Sequence, residues 1–128
     1  MEFNFTVSNE NGTQVIALQG KLLEKEQADK LIAEVDHQIN SGNNELVLDL
    51  EKLIYLNSTG LNVMISLLTK TRNAGGELLI ANIPEKINKL FIVTKLNTVF
   101  IVINDLEEAA AIFKKAENTD KHTQELTD

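Results

Sequence analysis

Apolar and polar residues alternate at the start of the chain with the period of a β-strand. Phe3, Phe5 and Val7 are separated by polar residues, so one face of this segment is apolar. Residues 8–12 form a polar cluster that ends in Asn-Gly, the pair most typical of a tight hairpin turn. The run Val15–Leu18 supplies the return strand. The pattern predicts an antiparallel β-hairpin.

Four later segments carry apolar residues every three or four positions, which is the period of an α-helix. These helices are predicted over residues 26–41, 59–73, 84–94 and 105–116. Pro84 suits the first turn of the third helix, and Asp105 caps the fourth. The second helix is apolar around most of its circumference. It is therefore predicted to be the best-buried helix, or to expose an apolar patch that a partner uses.

Short, mostly apolar runs separate the helices, as is typical of parallel strands covered on both faces. They are Leu46–Leu50, Glu77–Ala81 and Val99–Ile103. The element order is β-β-α-β-α-β-α-β-α. It predicts an α/β fold with a mixed, largely parallel sheet, an N-terminal hairpin at its edge and about four helices. The polar residues 117–128 are expected to form a frayed or disordered tail, so the domain is placed at residues 1–116.

Composition and charge narrow the function classes. The chain has 128 residues and no cysteine, which indicates one domain without disulfides or thiolate chemistry. Lys and Arg number 12 against 19 Asp and Glu, a net charge of −7. Nucleic-acid binding is disfavoured, because little basic surface can be built beyond a local patch around Lys86, Lys89 and Lys95. No secretory leader or membrane-length apolar run is visible, so we expect a cytoplasmic protein without membrane insertion.

Enzymatic chemistry finds little support in the sequence. The two histidines are His37, on the polar face of the first helix, and His122, in the tail. The nucleophile elbow, the phosphate-binding P-loop and the dinucleotide fingerprint are all missing. Carboxylates of the first helix are spread over a solvated face and do not converge as metal ligands would. We therefore expect no catalysis, no metal and no cofactor.

One loop has both the residue types and the position expected of a functional site. Asn57-Ser58-Thr59-Gly60 lies between a predicted strand and the second helix, where functional groups collect in open α/β sheets. Backbone N–H groups at a helix start are unpaired and the helix dipole is positive there, so an anion attached to Ser58 would be stabilised. Helix capping alone explains the same residue types and is the commoner case.

The segment Leu48–Leu61, with the sequence LDLEKLIYLNSTGL, resembles the signature of the STAS domain family, the sulphate transporter and anti-sigma factor antagonist domains. In that family a strand ending in Asp-Leu leads through a short apolar segment to Asp-Ser-Ser/Thr-Gly-Leu at the start of a helix. The element order also resembles that of the family, and the likeness extends from about Phe3 to Ala116. The resemblance implies a stand-alone STAS domain.

For a stand-alone member the resemblance implies partner switching. The unphosphorylated protein binds an anti-sigma factor that is also a serine kinase, and the sigma factor is freed. The kinase phosphorylates the motif serine, here Ser58, the complex dissociates, and a metal-dependent serine phosphatase restores the serine. The positions implied to form or border the partner-binding surface are Lys21, Leu23, Glu24, Asn57, Thr59, Gly60 and Leu61.

Two positions depart from the family pattern. Asn57 stands where the family has Asp, which keeps the capping geometry and loses the negative charge. Leu23 stands where antagonists commonly have an acid, and Glu24 follows one place later. Asn57 leaves open a second interpretation, an accessory or scaffold STAS subunit of a lipid-transport or stress-sensing complex, without a phosphoswitch. A third is a nucleotide- or small-ligand-binding module that uses the same loop.

Overall fold

Five strands form a single sheet in the order of the sequence. The structure, a computed structural model, describes residues 2–114, so the predicted helix end at Ala116 and the predicted tail 117–128 lie outside the described residues. The strands are β1 (Asn4–Glu10), β2 (Thr13–Leu22), β3 (Glu45–Leu56), β4 (Glu77–Ala81) and β5 (Ile101–Ile103). β1 pairs with β2 in antiparallel orientation, and all the other pairs are parallel. The predicted hairpin at the edge of a largely parallel sheet is confirmed.

The helices follow the predicted bounds closely. They are α1 (Lys25–Asn40), α2 (Ser58–Asn73), α3 (Glu85–Val93) and α4, which covers residues 106–114 of the described chain. The Glu108 N–H donates to Asp105 Oδ1 over 3.1 Å, which confirms Asp105 as the cap of α4. Pro84 precedes α3 as its cap instead of lying in its first turn.

Helices cover both faces of the sheet. Alternate residues of β3 point to opposite faces, so Leu46 and Leu48 join the core beneath α1, α2 and α3, whereas Val47 packs towards α4. Ala109 and Phe113 of α4 complete the second core. The buried residues of α2 are Gly60, Leu61, Val63, Met64, Leu67, Leu68 and Thr71. More of α2 is buried than of α1, as its wide apolar stripe predicted.

Two strands are longer than predicted. β2 does not end near Gly20 but continues to Leu22. Gly20 has a φ of +87°, and a Cβ built there would overlap the carbonyl oxygen of Glu2. The pairing register shifts between Ala17 and Gln19 and again after Gly20, so this glycine marks a bulge inside the strand. β5, in contrast, is shorter than the predicted run Val99–Ile103. Val99 and Phe100 instead close a 3-10 turn (Leu96–Thr98), because their N–H groups donate to the Leu96 carbonyl.

β3 continues to Leu56 instead of stopping at Leu50. Its pairing with β4 covers only Glu45–Asp49, whereas its pairing with β2 reaches Leu56 opposite Leu22. Residues 50–56 of β3 therefore extend past β4, and residues 20–22 of β2 extend past β1, whose pairing ends with Asn4 opposite Gln19. We name these two segments the β2–β3 extension; at about 3.3 Å per residue, its β3 strand spans roughly 23 Å. α2 begins at its tip.

Candidate functional site

Ser58 is the first residue of α2, and only Asn57 separates it from Leu56 at the tip of the β2–β3 extension. Its side chain is exposed, as is that of Thr59. Within the described part of the chain, neither hydroxyl has a hydrogen-bond partner. The position that the resemblance implied for phosphorylation is therefore accessible to a second protein.

The side-chain amide of Asn57 makes two hydrogen bonds at this helix start. Its Oδ1 accepts from the Gly60 N–H over 3.1 Å, which is the bond of an N-cap. Its Nδ2 donates to the carbonyl oxygen of Leu23 over 3.1 Å. The amide thus caps α2 and also joins it to the loop that follows β2.

The peptide groups of Leu23 are held from both sides. Gln27 Oε1 accepts from the N–H groups of Leu23 and Glu24, each over 3.0 Å. The carbonyl oxygen of Leu23 accepts from Asn57, so a chain of hydrogen bonds runs from Gln27 through Leu23 and Asn57 to Gly60. We name this chain the Leu23 bridge. It fixes the first turns of α1 and α2 relative to each other.

Gly60 and Leu61 lie beneath the surface. A Cβ at Gly60 would lie 2.7 Å from the carbonyl oxygen of Leu22 and 2.9 Å from the Cβ of Leu56. Because any side chain there would push α2 away from the extension, glycine allows the close approach. Leu61 is only 7% exposed. These two residues can shape the partner surface implied by the resemblance but contribute little contact area to it.

The other implied positions lie on the surface. Lys21, Leu23, Glu24 and Thr59 are exposed, and Asn57 is partly exposed. Lys21 pairs with Tyr55 across the strands of the extension. The structure thus places these positions around the tip of the β2–β3 extension and the start of α2.

Sequence reasoning missed several residues near this tip. Ile54 and Tyr55 are 45% and 38% exposed, and Lys86 Nζ of α3 lies 5.5 Å from the centroid of the Tyr55 ring. The Glu-x-x-Gln spacing of a capping box could have indicated Gln27. No local signal marks Tyr55 as exposed, since the strand was predicted to end earlier.

The chemistry available at the site is that of one hydroxyl and a helix terminus. His37, the one histidine within residues 2–114, lies in the last turn of α1, about 15 Å along that helix from Gln27 of the Leu23 bridge. The described residues hold no group of three His, Asp or Glu side chains that could bind a metal ion. Over the same residues, no helix has both the length and the hydropathy needed to span a bilayer. The arrangement suits a modification site and a binding surface.

Sequence comparison identifies a family. Residues 4–109 match the STAS domain family model. BtrV of Bordetella bronchiseptica, which is named provisionally as an anti-sigma factor antagonist, is 32% identical over 111 residues. That alignment covers 87% of this chain and 95% of BtrV.

Solved structures share the fold. An anti-sigma factor antagonist from Mycobacterium paratuberculosis has a TM-score of 0.73 at 19% identity and is covered over 93% of its length, with 87% of this chain aligned. The Bacillus cell fate determinant SpoIIAA in its phosphorylated form has a TM-score of 0.66 at 18% identity, with 85% of this chain and 99% of SpoIIAA aligned. The family match over most of the chain, together with BtrV and this shared architecture, shows that the chain belongs to the STAS domain family.

Proposed function

We propose that this chain is an anti-sigma factor antagonist that exchanges partners according to the phosphorylation state of Ser58. The name of BtrV, which aligns over nearly its whole length, supports the antagonist function. One observation carries the phosphoswitch: Ser58 is exposed at the first residue of α2 and has no hydrogen-bond partner within residues 2–114. We place this activity in the bacterial cytoplasm and the domain at residues 1–116, with 117–128 outside it.

The chemical step uses the partner's active site. The Ser58 oxygen attacks the γ-phosphorus of ATP held by the anti-sigma serine kinase, forming an O–P bond. The bond to the bridging oxygen breaks, ADP leaves, and a base of the kinase takes the hydroxyl proton. The first-turn N–H groups and the dipole of α2 stabilise the resulting phosphate. A serine phosphatase hydrolyses the ester with water and releases inorganic phosphate, so the chain itself acts by binding and not as an enzyme.

The energies involved favour a steric and electrostatic block at the interface. Changing a complex from 99% bound to 99% free needs about 5.5 kcal/mol of differential affinity. A phosphate at a helix start gains only about 0.3–2 kcal/mol, and this stabilises the folded protein instead of releasing the partner. Disrupting a packed contact or burying an unpaired charge costs about 2–5 kcal/mol. The dianion on Ser58 therefore acts mainly by disrupting a packed interface, without refolding the domain.

The exposed side chains around Ser58 suit such an interface. Leu23, Ile54 and Tyr55 expose apolar surface on or next to the β2–β3 extension, while Lys21 and Glu24 add charges of both signs. An apolar centre bordered by polar groups is typical of protein-binding surfaces. We propose that the unphosphorylated chain binds the anti-sigma factor through this surface.

Phosphate transfer and binding test the proposal together. The chain is incubated with ATP and an anti-sigma serine kinase from the same organism, and the modified residue is located by mass spectrometry. We expect one phosphate at Ser58, none in Ser58→Ala, and normal transfer to Ser66→Ala, whose exposed serine lies on the same helix. Calorimetry should show affinity for the kinase falling by about 30- to 5,000-fold after phosphorylation, the range that corresponds to 2–5 kcal/mol.

Two outcomes would contradict the phosphoswitch. One is a kinase that binds the phosphorylated and unphosphorylated chains equally well. The other is a kinase that binds the chain but leaves Ser58 unmodified under turnover conditions, which would favour the accessory or scaffold function. Amide NMR spectra of the two forms should differ mainly around the start of α2, and shift changes throughout the core would indicate refolding instead.

A further inference from the structure

We infer that Asn57 is a positioning residue whose amide donor holds the loop at Leu23 in place beside Ser58. The inference rests on the proposed function, in which Ser58 is modified and the surface around it binds the kinase. Its basis is the Leu23 bridge, in which one side chain caps α2 and also binds a carbonyl group that lies 34 positions away in the sequence.

The donor of this bond distinguishes asparagine from aspartate. An ionised carboxylate has only acceptor oxygens, so Asp at position 57 could cap Gly60 but could not donate to the Leu23 carbonyl. It would instead place a negative charge about 3 Å from that carbonyl oxygen. A carboxylate near a helix start is favoured by the helix dipole. Asn57 thus lacks this favourable charge and provides a connection between loop and helix.

The connection determines how rigid the loop is. Leu23 is held at its N–H by Gln27 and at its C=O by Asn57, and its side chain is 36% exposed. If the Asn57 bond is lost, the loop is fixed only on the α1 side and samples more conformations. A binding partner must then order the loop on association, which weakens binding. The Ser58 hydroxyl and its reactivity are unchanged.

The test compares two substitutions that add the same charge. Asn57→Asp removes the amide donor and keeps a capping oxygen, whereas Asn62→Asp adds the charge to an exposed residue of α2 that makes no side-chain hydrogen bond within the described residues. Hydrogen exchange is measured at the N–H groups of Leu23 and Glu24. Loss of one hydrogen bond should speed their exchange about fivefold in Asn57→Asp. In Asn62→Asp the rates should stay at wild-type values.

Kinase kinetics provide a second readout. In Asn57→Asp the KM of the kinase for the chain should rise about fivefold while kcat is unchanged, because binding is affected and chemistry is not. Asn57→Ser, whose short hydroxyl caps the helix but lacks the amide donor, should reproduce the result and serves if the Asp variant is poorly folded.

The outcomes separate this inference from the proposed function. Unchanged exchange at Leu23 and Glu24 in both Asn57 variants would overturn the inference, whatever the kinase does. An equal rise in KM for Asn57→Asp and Asn62→Asp would also overturn it, since charge alone would then explain the effect. If exchange accelerates as expected but no kinase modifies wild-type Ser58, the proposed function fails and the role of Asn57 in holding the loop stands.

Discussion

The two edges of the sheet use similar loop residues in different ways. At the edge where the parallel strands begin, Asn44 Nδ2 donates to the Ala74 carbonyl over 3.1 Å, and the Asn44 carbonyl accepts from Glu77 over 3.0 Å. Arg72 donates to Glu77 and to the Val99 carbonyl, each over 3.0 Å. These polar groups are occupied by bonds that join one loop to the next.

At the opposite edge, where the parallel strands end, the loop residues are left accessible. Ser58 and Thr59 have exposed hydroxyls, and Leu23 and Tyr55 expose apolar surface. Two polar residues join neighbouring segments there: Asn57 binds the loop at Leu23, and Asn82, which follows β4, donates to Asp49 of β3 over 3.1 Å. The difference indicates that the first edge maintains the fold and that the second is available for binding, as expected for parallel sheets.

The largest effect is expected from Gly76→Ala at the edge that maintains the fold. A Cβ there would overlap the backbone carbonyl of Asn44, so the loop must move or its bonds must break. We expect unfolding in urea to show a loss of about 3 kcal/mol. The control is Gly75→Ala. Gly75 has a φ of +81°, but a Cβ there would lie 4.0 Å from its nearest neighbour, Asn44 Nδ2. This variant should lose only about 1 kcal/mol of stability. Equal losses in the two variants would mean that close packing at Gly76 is unimportant.

Tyr55→Ala tests the binding edge. Removal of this partly exposed ring should weaken kinase binding by about 2 kcal/mol, the size of effect found for aromatic residues central to interfaces. Calorimetry measures the change. Val99→Ala is the control, because Val99 is an apolar residue of similar exposure, 40% against 38%, at the other edge. If the two substitutions weaken binding equally, the proposed assignment of binding to the edge where the parallel strands end is wrong.

The elements of the fold could be predicted from the sequence because their signals are local. The helices follow the spacing of their apolar residues, and capping residues mark their ends. The β2–β3 extension was missed for two reasons. Gly20 ordinarily ends a strand but here forms a bulge. The polar pair Glu51-Lys52 interrupts the apolar run, although both residues belong to β3.

The site was predictable only in part. Ser58 could be predicted from a short motif at a helix start, where capping residues and dipole coincide. The bond between Asn57 and Leu23 could not, since it joins residues 34 positions apart. It depends on how two loops approach each other in the folded chain. The exposure of Tyr55 likewise follows from the fact that β4 ends earlier than β3.

A smaller effect is expected from Arg72→Gln at the edge that maintains the fold. The arginine loses its bonds to Glu77 and to the Val99 carbonyl, but both partners are partly exposed to water. The free energy of unfolding should fall by about 1 kcal/mol, and the loss should shrink at high salt because part of it is an ion pair. Kinase affinity should not change. A marked loss of affinity would show that the two edges are coupled.

The smallest effect is expected from Ser58→Asp, and it has the opposite sign. The aspartate places a negative charge in the first turn of α2, which contains no acidic residue in the wild-type chain. Its interaction with the helix dipole should raise the free energy of unfolding by about 0.3–1 kcal/mol at low ionic strength. Ser58→Asn, which has a similar shape without the charge, should lack this gain. Urea titrations of both variants in low and high salt measure the difference, which should decrease as salt screens the charge.

Because the same charge should weaken kinase binding, stability and affinity would change in opposite directions at a single residue. A variant that lost both would indicate a distorted helix start instead of a blocked interface.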